Sequence, residues 1–398
     1  MRDGKLGIYC HPDAVAQTPD YAKRLVEVGG VDYFILRSGY NFGYPESQAK
    51  AVQVIRDLGV KVSFMVGVLW GGWNQDVPTP SKSQEALFHM DMPGNEETEP
   101  KFLAKIDKLL SDFTPDSLNL THVRYRHPAY IDAIFDEGSK DAGYQARMAS
   151  AGIPRSDMLA ARGAWEKAMG SLDKAALLKA TEKGFVDFLS DLSQDDALKR
   201  LLAFRRTTVS DSMAKYKKVV DGHGVSFGCN AFSPYGTMIT GQDYDGTFAE
   251  MCDFVQPLLC YMEWHRYESI AAWARYLMLH TGLNDEAAAI RAALNLFNMG
   301  SNICPDNLNE LDTCLEGTNE STLSFGQNEI NMCKPFVNKP YELQIVFRGK
   351  QWDHGITDQL IAEAKDIGVK SFIFNGCEYL SKMQSPVIQS KEPGVGWT

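Results

Sequence analysis

The strongest constraint in this sequence is a strand–helix rhythm with a period of roughly 30 residues. Residues 6–10 read as a strand, and 20–28 as a helix that stops at Gly29-Gly30. Residues 32–37 read as a second strand, 46–58 as a helix stopped by Gly59, and 61–66 as a third strand. A glycine just past an amphipathic run is a normal helix stop, because it adopts the left-handed conformation that ends the turn. Three such units in succession predict a parallel sheet with helices packed on it.

The rhythm then loosens. Residues 74–98 form a polar, proline-bearing loop, followed by a helix over 99–113. A fourth strand is predicted at 130–135. A mostly helical insertion follows at about 140–220, with periodic pieces at 158–169, 174–192, 197–204 and 209–220. Strands five to eight are predicted at 224–230, 254–261, 342–347 and 370–374, and an irregular cysteine-bearing insertion at about 299–338. Eight strands alternating with helices predict an α/β fold, a (β/α)8 TIM barrel. It would be a single catalytic domain over 1–398, with long loop insertions after strands 3, 4 and 6. An open doubly wound sheet would require a glycine-rich loop after its first strand, and His11-Pro12-Asp13 is not one.

Charge removes some partners. A net charge of −11 argues against nucleic acid and anionic membranes, both of which require a basic face. No apolar run is long enough to span a bilayer. The first five residues lead into a strand without a secretory apolar segment, so the chain reads as cytoplasmic as it stands, or as secreted or periplasmic if a signal was removed. None of the eight cysteines forms a C-x-x-C pair, which argues against structural zinc. Cys10, Cys229, Cys260 and Cys377 read as small core hydrophobes, while Cys304, Cys314 and Cys333 share the irregular segment and are candidates for a disulfide.

In a parallel barrel, chemistry gathers at the C-terminal ends of the strands. The predicted ends carry Tyr40, Trp70, Trp73, Asn230, Tyr261, Trp264, His265, Trp352, Asp353 and Asn375, which predict a substrate-binding mouth. Aromatic faces stack on sugar rings, and amides, acids and imidazoles read hydroxyls. A phosphorylated substrate would call for lysines, arginines or a glycine loop there, and the sequence offers few. Cleaving a glycosidic bond needs two carboxyl groups across the mouth, one acid and one nucleophile or base. Alternation along the predicted fourth strand favours Asp136 over Glu137 as the inward carboxylate. The predicted pair is Asp136 as nucleophile or base and Glu263 as general acid/base, with Glu137 and Glu378 as alternatives.

Other residues have plainer readings. His11, His122 and His127 read as structural, Arg124 with Arg126 as a solvated face, and Phe204-Arg205-Arg206 as a helix end or as reaching the acids of the mouth. His265 and His354, with Asp136, Glu263 and Asp353, would supply the donor set of a metal-dependent sugar isomerase. No H-x-H or H-x-x-x-H pair supports this, so neither metal nor cofactor is predicted.

The stretch IDAIFDEG, residues 131–138, resembles the I-D-G-I-x-x-D motif of a poorly characterised group of glycoside-hydrolase-like barrels. FRRTTVSDSM, GQDYDGTFAEMCDFVQPLLCY and AKDIGVKSFIFN resemble segments of the same group in the same order, covering the predicted strands four to eight. The resemblance implies a retaining or inverting glycosidase-like barrel with Asp136 matching the strand-four acid. The chain departs from the group after that strand, where SKDAGYQARM replaces a cysteine-rich segment. The function expected is hydrolysis of an oligosaccharide or polysaccharide. The alternatives are a barrel that binds carbohydrate without cleaving it, and a metal-dependent isomerase or epimerase. Nothing in the sequence specifies an oligomeric state.

Overall fold

Eight parallel strands close into a barrel in the computed structural model of the chain, which describes residues 4–38, 46–73, 88–90, 92–129, 131–136, 142–259, 263–299, 306–313, 320–348 and 354–375. The first three barrel strands are β1 (Lys5–Cys10), β2 (Tyr33–Arg37) and β3 (Lys61–Gly67). A separate antiparallel pair follows, β4 (Trp70–Trp73) and β5 (Phe88–Met90). The barrel resumes with β6 (Ser117–Thr121), β7 (Ser226–Ala231), β8 (Phe254–Pro257), β9 (Glu342–Arg348) and β10 (Ser371–Asn375). It closes in the order β1-β10-β9-β8-β7-β6-β3-β2.

The two-residue period of a strand divides each one into an outer and an inner face. The outer face is apolar: Ile8, Phe34, Phe64, Leu120, Val255 and Ile345 are all fully buried beneath the surrounding layer. The inner face is largely polar, with Tyr9, Ser63, Asn119, Asn230, Gln256 and Gln344 all buried inside the ring. At the N-terminal ends one device repeats. Asp32 accepts a hydrogen bond from the Leu6 amide at 2.7 Å, Asp116 from the Val62 amide at 2.8 Å, and Asp253 from the Phe227 amide at 2.8 Å. Each acid sits one residue before its own strand and satisfies the first free donor of the strand before it in the ring.

Two strand glycines make room for rings inside the barrel. A Cβ at Gly7 would overlap the Tyr33 ring, and one at Gly228 would overlap the Phe254 ring. Gly228→Ala is therefore expected to destabilise the chain by about 1–3 kcal/mol through overpacking. A chemical-denaturation midpoint equal to that of wild type would show that the Phe254 ring yields instead.

Seven predicted strands lie where the rhythm put them, within a few residues at their ends, but the fourth does not. Residues 131–136, expected as a strand, form the helix Ile131–Asp136, and the fourth barrel strand is β6. The helix follows from spacing: Ile134 and Phe135 are buried while Asp132 is exposed, and the Phe135 ring packs 5.0 Å from that of Trp165. The alternation argument that turned Asp136 inward therefore does not apply. β6 escaped notice because its inner positions, Ser117, Asn119 and Thr121, are polar and give SLNLT little strand character.

Other boundaries also moved. Residues 174–192 form two helices, Lys174–Thr181 and Phe185–Ser193, parted by Gly184 at φ 83°. The pieces expected at 197–204 and 209–220 are one continuous helix, Ala197–Gly222. Arg205 and Arg206 are therefore mid-helix and not at an end. The segment 299–338, read as irregular, contains the helices Leu308–Thr313 and Glu320–Met332. Cys333 there is a buried free thiol, which corrects the disulfide expectation for that residue, while Cys304 and Cys314 lie outside the described residues.

Candidate functional site

The C-terminal half of the barrel rests on a floor of buried amides around one phenol. Tyr9 on β1 donates to Gln256 Oε1 at 2.5 Å and receives a hydrogen bond from Asn230 Nδ2 at 2.8 Å. Asn119 Nδ2 donates to the same phenol at 3.0 Å, and Gln256 Nε2 donates to Gln344 Oε1 at 2.8 Å. Asn230, predicted to contact substrate, is 3% exposed and is part of this floor. A network that joins β1, β6, β7, β8 and β9 across the lumen holds those strands at defined distances. The Arg37 guanidinium lies 6.0 Å over the Tyr9 ring.

The loop after β6 is cationic and aromatic rather than acidic. Residues 122–129 read HVRYRHPA, and His122 turns the chain with φ 70°. Leu69, just past the neighbouring β3, has φ 60°. Left-handed backbone at non-glycine residues stores strain of order 1–3 kcal/mol, here at two adjacent strand exits. Arg124 is buried, with its guanidinium 5.3 Å over the Phe232 ring and Nη1 donating to the Tyr125 carbonyl at 3.0 Å. The expectation of a solvated face is thus corrected for Arg124. The His127 ring stacks on Phe232 at 6.1 Å with an interplanar angle of 10°. Phe232 follows β7 and is held there, its amide donating to Gln242 at 2.7 Å and its carbonyl accepting from the Tyr244 phenol at 2.8 Å.

The same loop anchors the segment after β8. Trp273 Nε1 donates to the Pro128 carbonyl at 3.0 Å, and His127 Nε2 lies 3.8 Å from a Glu268 carboxylate oxygen. Trp273 and Glu268 belong to the helix Glu263–Thr281. The exits of the fourth, fifth and sixth barrel strands are therefore bound to one another through Arg124, His127, Phe232 and Trp273. Sequence reading missed this cluster. Its signal was a run of imidazole, guanidinium and phenol side chains after a short alternating segment.

The helix Ile131–Asp136 is fixed from three sides. Asp132 pairs with Arg162 at 2.8 Å, Phe135 packs on Trp165, and Arg205 Nη2 donates to the Ile134 carbonyl at 2.8 Å. Burial alone would push the Glu166 carboxyl up, but hydrogen bonds from Arg162 and Tyr276 hold it below the usual carboxylate range. Arg162 thus carries two acidic partners, Asp132 and Glu166.

The predicted site residues fall as follows. Asp136 is the last residue of its helix, while Glu263, Trp264 and His265 are the first three of theirs. Trp70 and Trp73 bound β4, opposite Met90 and Phe88 of β5, and Asn375 ends β10. The side chains of these seven residues lie outside the described residues, as do Tyr40, Glu137, Tyr261, Trp352, Asp353 and Glu378 altogether. His354, one of the two histidines weighed as a metal ligand, begins the helix His354–Asp366, and its side chain also lies outside the described residues. Among the described residues no group of three or more His, Cys, Asp or Glu side chains is placed to hold a metal ion. Burial pushes the Cys229 thiol up to about 12 and raises those of Cys252 and Cys333 well above their ordinary value. Such thiols are protonated at neutral pH and are not nucleophiles.

The chain matches no protein-family model and no curated protein sequence. Solved structures that resemble it include glycoside hydrolases. A spore cortex-lytic enzyme of Bacillus megaterium is 7% identical, with a TM-score of 0.37 over 94% of this chain and 70% of that one. A glycoside hydrolase family 18 N-acetylglucosaminidase of Paenibacillus barengoltzii is 11% identical, with a TM-score of 0.32 over 65% of this chain and 54% of that one. A noncanonic maltogenic α-amylase of Thermotoga neapolitana is 8% identical, with a TM-score of 0.38 over 94% of this chain and 68% of that one. The barrel assignment rests on this chain's own strand order and register, and no site residue is carried over from these structures.

Proposed function

We propose that this chain is a glycoside hydrolase that cleaves a glycosidic bond in an oligosaccharide or polysaccharide with two carboxyl groups. Asp136 acts as nucleophile or base and Glu263 as general acid/base, with Glu137 and Glu378 as the alternatives. One observation carries the reading: the helix that begins at Glu263 is tied to the loop leaving the fourth barrel strand, by Trp273 on Pro128 and by Glu268 beside His127. That helix therefore starts at the C-terminal end of the parallel barrel, where barrel enzymes do their chemistry, which supports the choice of its first residue. Acids and aromatics in the segments after β8, β9 and β10, among them Trp264, Trp352, Asp353 and Glu378, supply what a neutral sugar chain requires. The exit of the fourth strand adds a buried cation, Arg124, to that end of the barrel.

The test is turnover. Wild-type chain is expected to release chromophore from at least one member of a panel of α- and β-aryl glycosides, or reducing ends from at least one of a set of soluble and insoluble glycans. Measurable glycan binding with no turnover across both panels would overturn the proposal in favour of a non-catalytic carbohydrate-binding barrel.

A further inference from the structure

We propose that the N-terminal mouth of the barrel is a second ligand site, one that takes a neutral, ring-shaped polyol of monosaccharide size. This inference does not depend on the chemistry assigned to the opposite mouth.

Barrel bottoms are commonly filled by layers of large side chains. Here a cavity of about 610 Å³ opens among the strand beginnings, between Lys5, Asp32, Lys61, Asp116 and Glu342. That volume is within the ordinary range for small-molecule pockets. It exists because inner positions at this end are small: Ser63, Ser117 and Ser226 line it, and Gly7 and Gly228 lie beneath the Tyr33 and Phe254 rings. Both rings also line the cavity and offer apolar faces.

Ser63 supplies the second observation. It is 2% exposed, it lines the cavity, and its hydroxyl has no hydrogen-bond partner among the described residues. A buried hydroxyl without a partner is costly, and a bound hydroxyl would relieve that cost. Beside it Gln344 and the Tyr33 phenol form a hydrogen-bonding wall, the phenol donating to Gln344 Oε1 at 3.4 Å.

The charges favour a neutral occupant. All three carboxylates already have partners: Asp32 the Leu6 amide, Asp116 the Val62 amide, and Glu342 Lys5 at 2.9 Å, Gln344 at 3.3 Å and Ser371. An anion would meet those three against two lysines. A metal ion would have to draw the acids away from the strands they hold. A sugar ring needs neither, since it can lay C–H faces on the aromatics and offer hydroxyls to Ser63 and Lys61.

Saturation-transfer NMR on the full chain, with D-glucose, D-galactose, D-mannose, N-acetyl-D-glucosamine and inorganic phosphate as probes, should show contact with at least one sugar. Calorimetric titration of the strongest responder is then expected to show a dissociation constant raised about fivefold in Ser63→Ala, the loss of one neutral hydrogen bond. Ser117→Leu fills the space and should weaken binding by at least about twentyfold, while turnover at the other mouth stays unchanged. Ser63→Ala removes only an unpartnered hydroxyl, so its fold is expected to persist, and a thermal melt checks both variants. Silence from every sugar, a response from phosphate alone, or sugar binding that folded Ser63→Ala and Ser117→Leu leave intact would overturn the proposal. The last result would assign the binding to the C-terminal mouth.

Discussion

Glu263→Gln is expected to lower kcat/KM by about a thousandfold on whichever glycoside the wild-type chain cleaves, equivalent to about 4 kcal/mol of lost transition-state stabilisation. Most of the loss should fall in kcat, because glutamine keeps the size of the side chain and much of its hydrogen bonding but cannot deliver or take a proton. The helix it begins is held by contacts that the substitution does not touch, Trp273 on Pro128 and Glu268 beside His127. A fall in activity would therefore report chemistry and not unfolding, and an unchanged thermal melt would establish this. The pH profile gives the second readout. If Glu263 is the general acid, the alkaline limb of the bell belongs to it and should flatten in the variant, leaving the limb set by the remaining carboxylate. Asp136→Asn should remove the acidic limb with a comparable loss. If both variants keep full activity while Glu378→Gln or Glu137→Gln does not, the pair is wrongly assigned although the two-carboxylate chemistry stands.

How much was legible in the sequence differed by element, for physical reasons. Strands β1, β2 and β3 announced themselves because each is a short run rich in β-branched, aromatic and aliphatic residues, and β1 and β2 are each followed by a helical stretch that stops at glycine. β6 did not, because its inner face contributes to the polar floor: Asn119 lies against Tyr9, Asn230 and Gln256, so the residue that makes the strand useful also makes it look like a loop. The stretch at 131–136 misled in the opposite sense. Its isoleucines and phenylalanine suit a strand locally, and only packing against Trp165 and Arg205 selects the helix. Asn230 was correctly placed at the end of a strand, but its exposure was not readable, since burial inside a barrel depends on partners more than a hundred residues away in the chain. The run HVRYRH was visible, but its pairing of Arg124 and His127 with Phe232 was not, for the same reason. A buried guanidinium stacked on an aromatic ring cannot be told from a solvated one until the neighbouring strand exit is known.

Arg205→Ala is expected to destabilise the chain by about 3–5 kcal/mol, a large fraction of the total for an ordinary domain. Arg205 is 1% exposed and sits mid-helix in Ala197–Gly222, where the sequence suggested a helix end. Its Nη2 donates to the Ile134 carbonyl at 2.8 Å, its Nη1 donates to the Ile239 carbonyl at 3.1 Å, and its guanidinium lies 4.8 Å over the Tyr125 ring. Ile134 lies in the last turn of the helix Ile131–Asp136, whose carbonyls have no partner within the helix. Ile239 is in the short helix after β7, which ends at Gly241 with φ 77°, close against the Arg205 carbonyl. One side chain therefore joins the exits of the fourth and fifth barrel strands. Alanine would leave two carbonyls unsatisfied, one ring uncovered and a void. Lysine keeps the charge and most of the volume but has no planar fork to reach both carbonyls, so Arg205→Lys should cost about half as much. Denaturation midpoints read both effects. Because Asp136 closes the helix that Arg205 holds, Arg205→Lys is also expected to lower kcat at temperatures where the chain remains folded, with little change in KM. If stability falls and kcat does not, Arg205 supports the scaffold alone and Asp136 does not depend on it for its position.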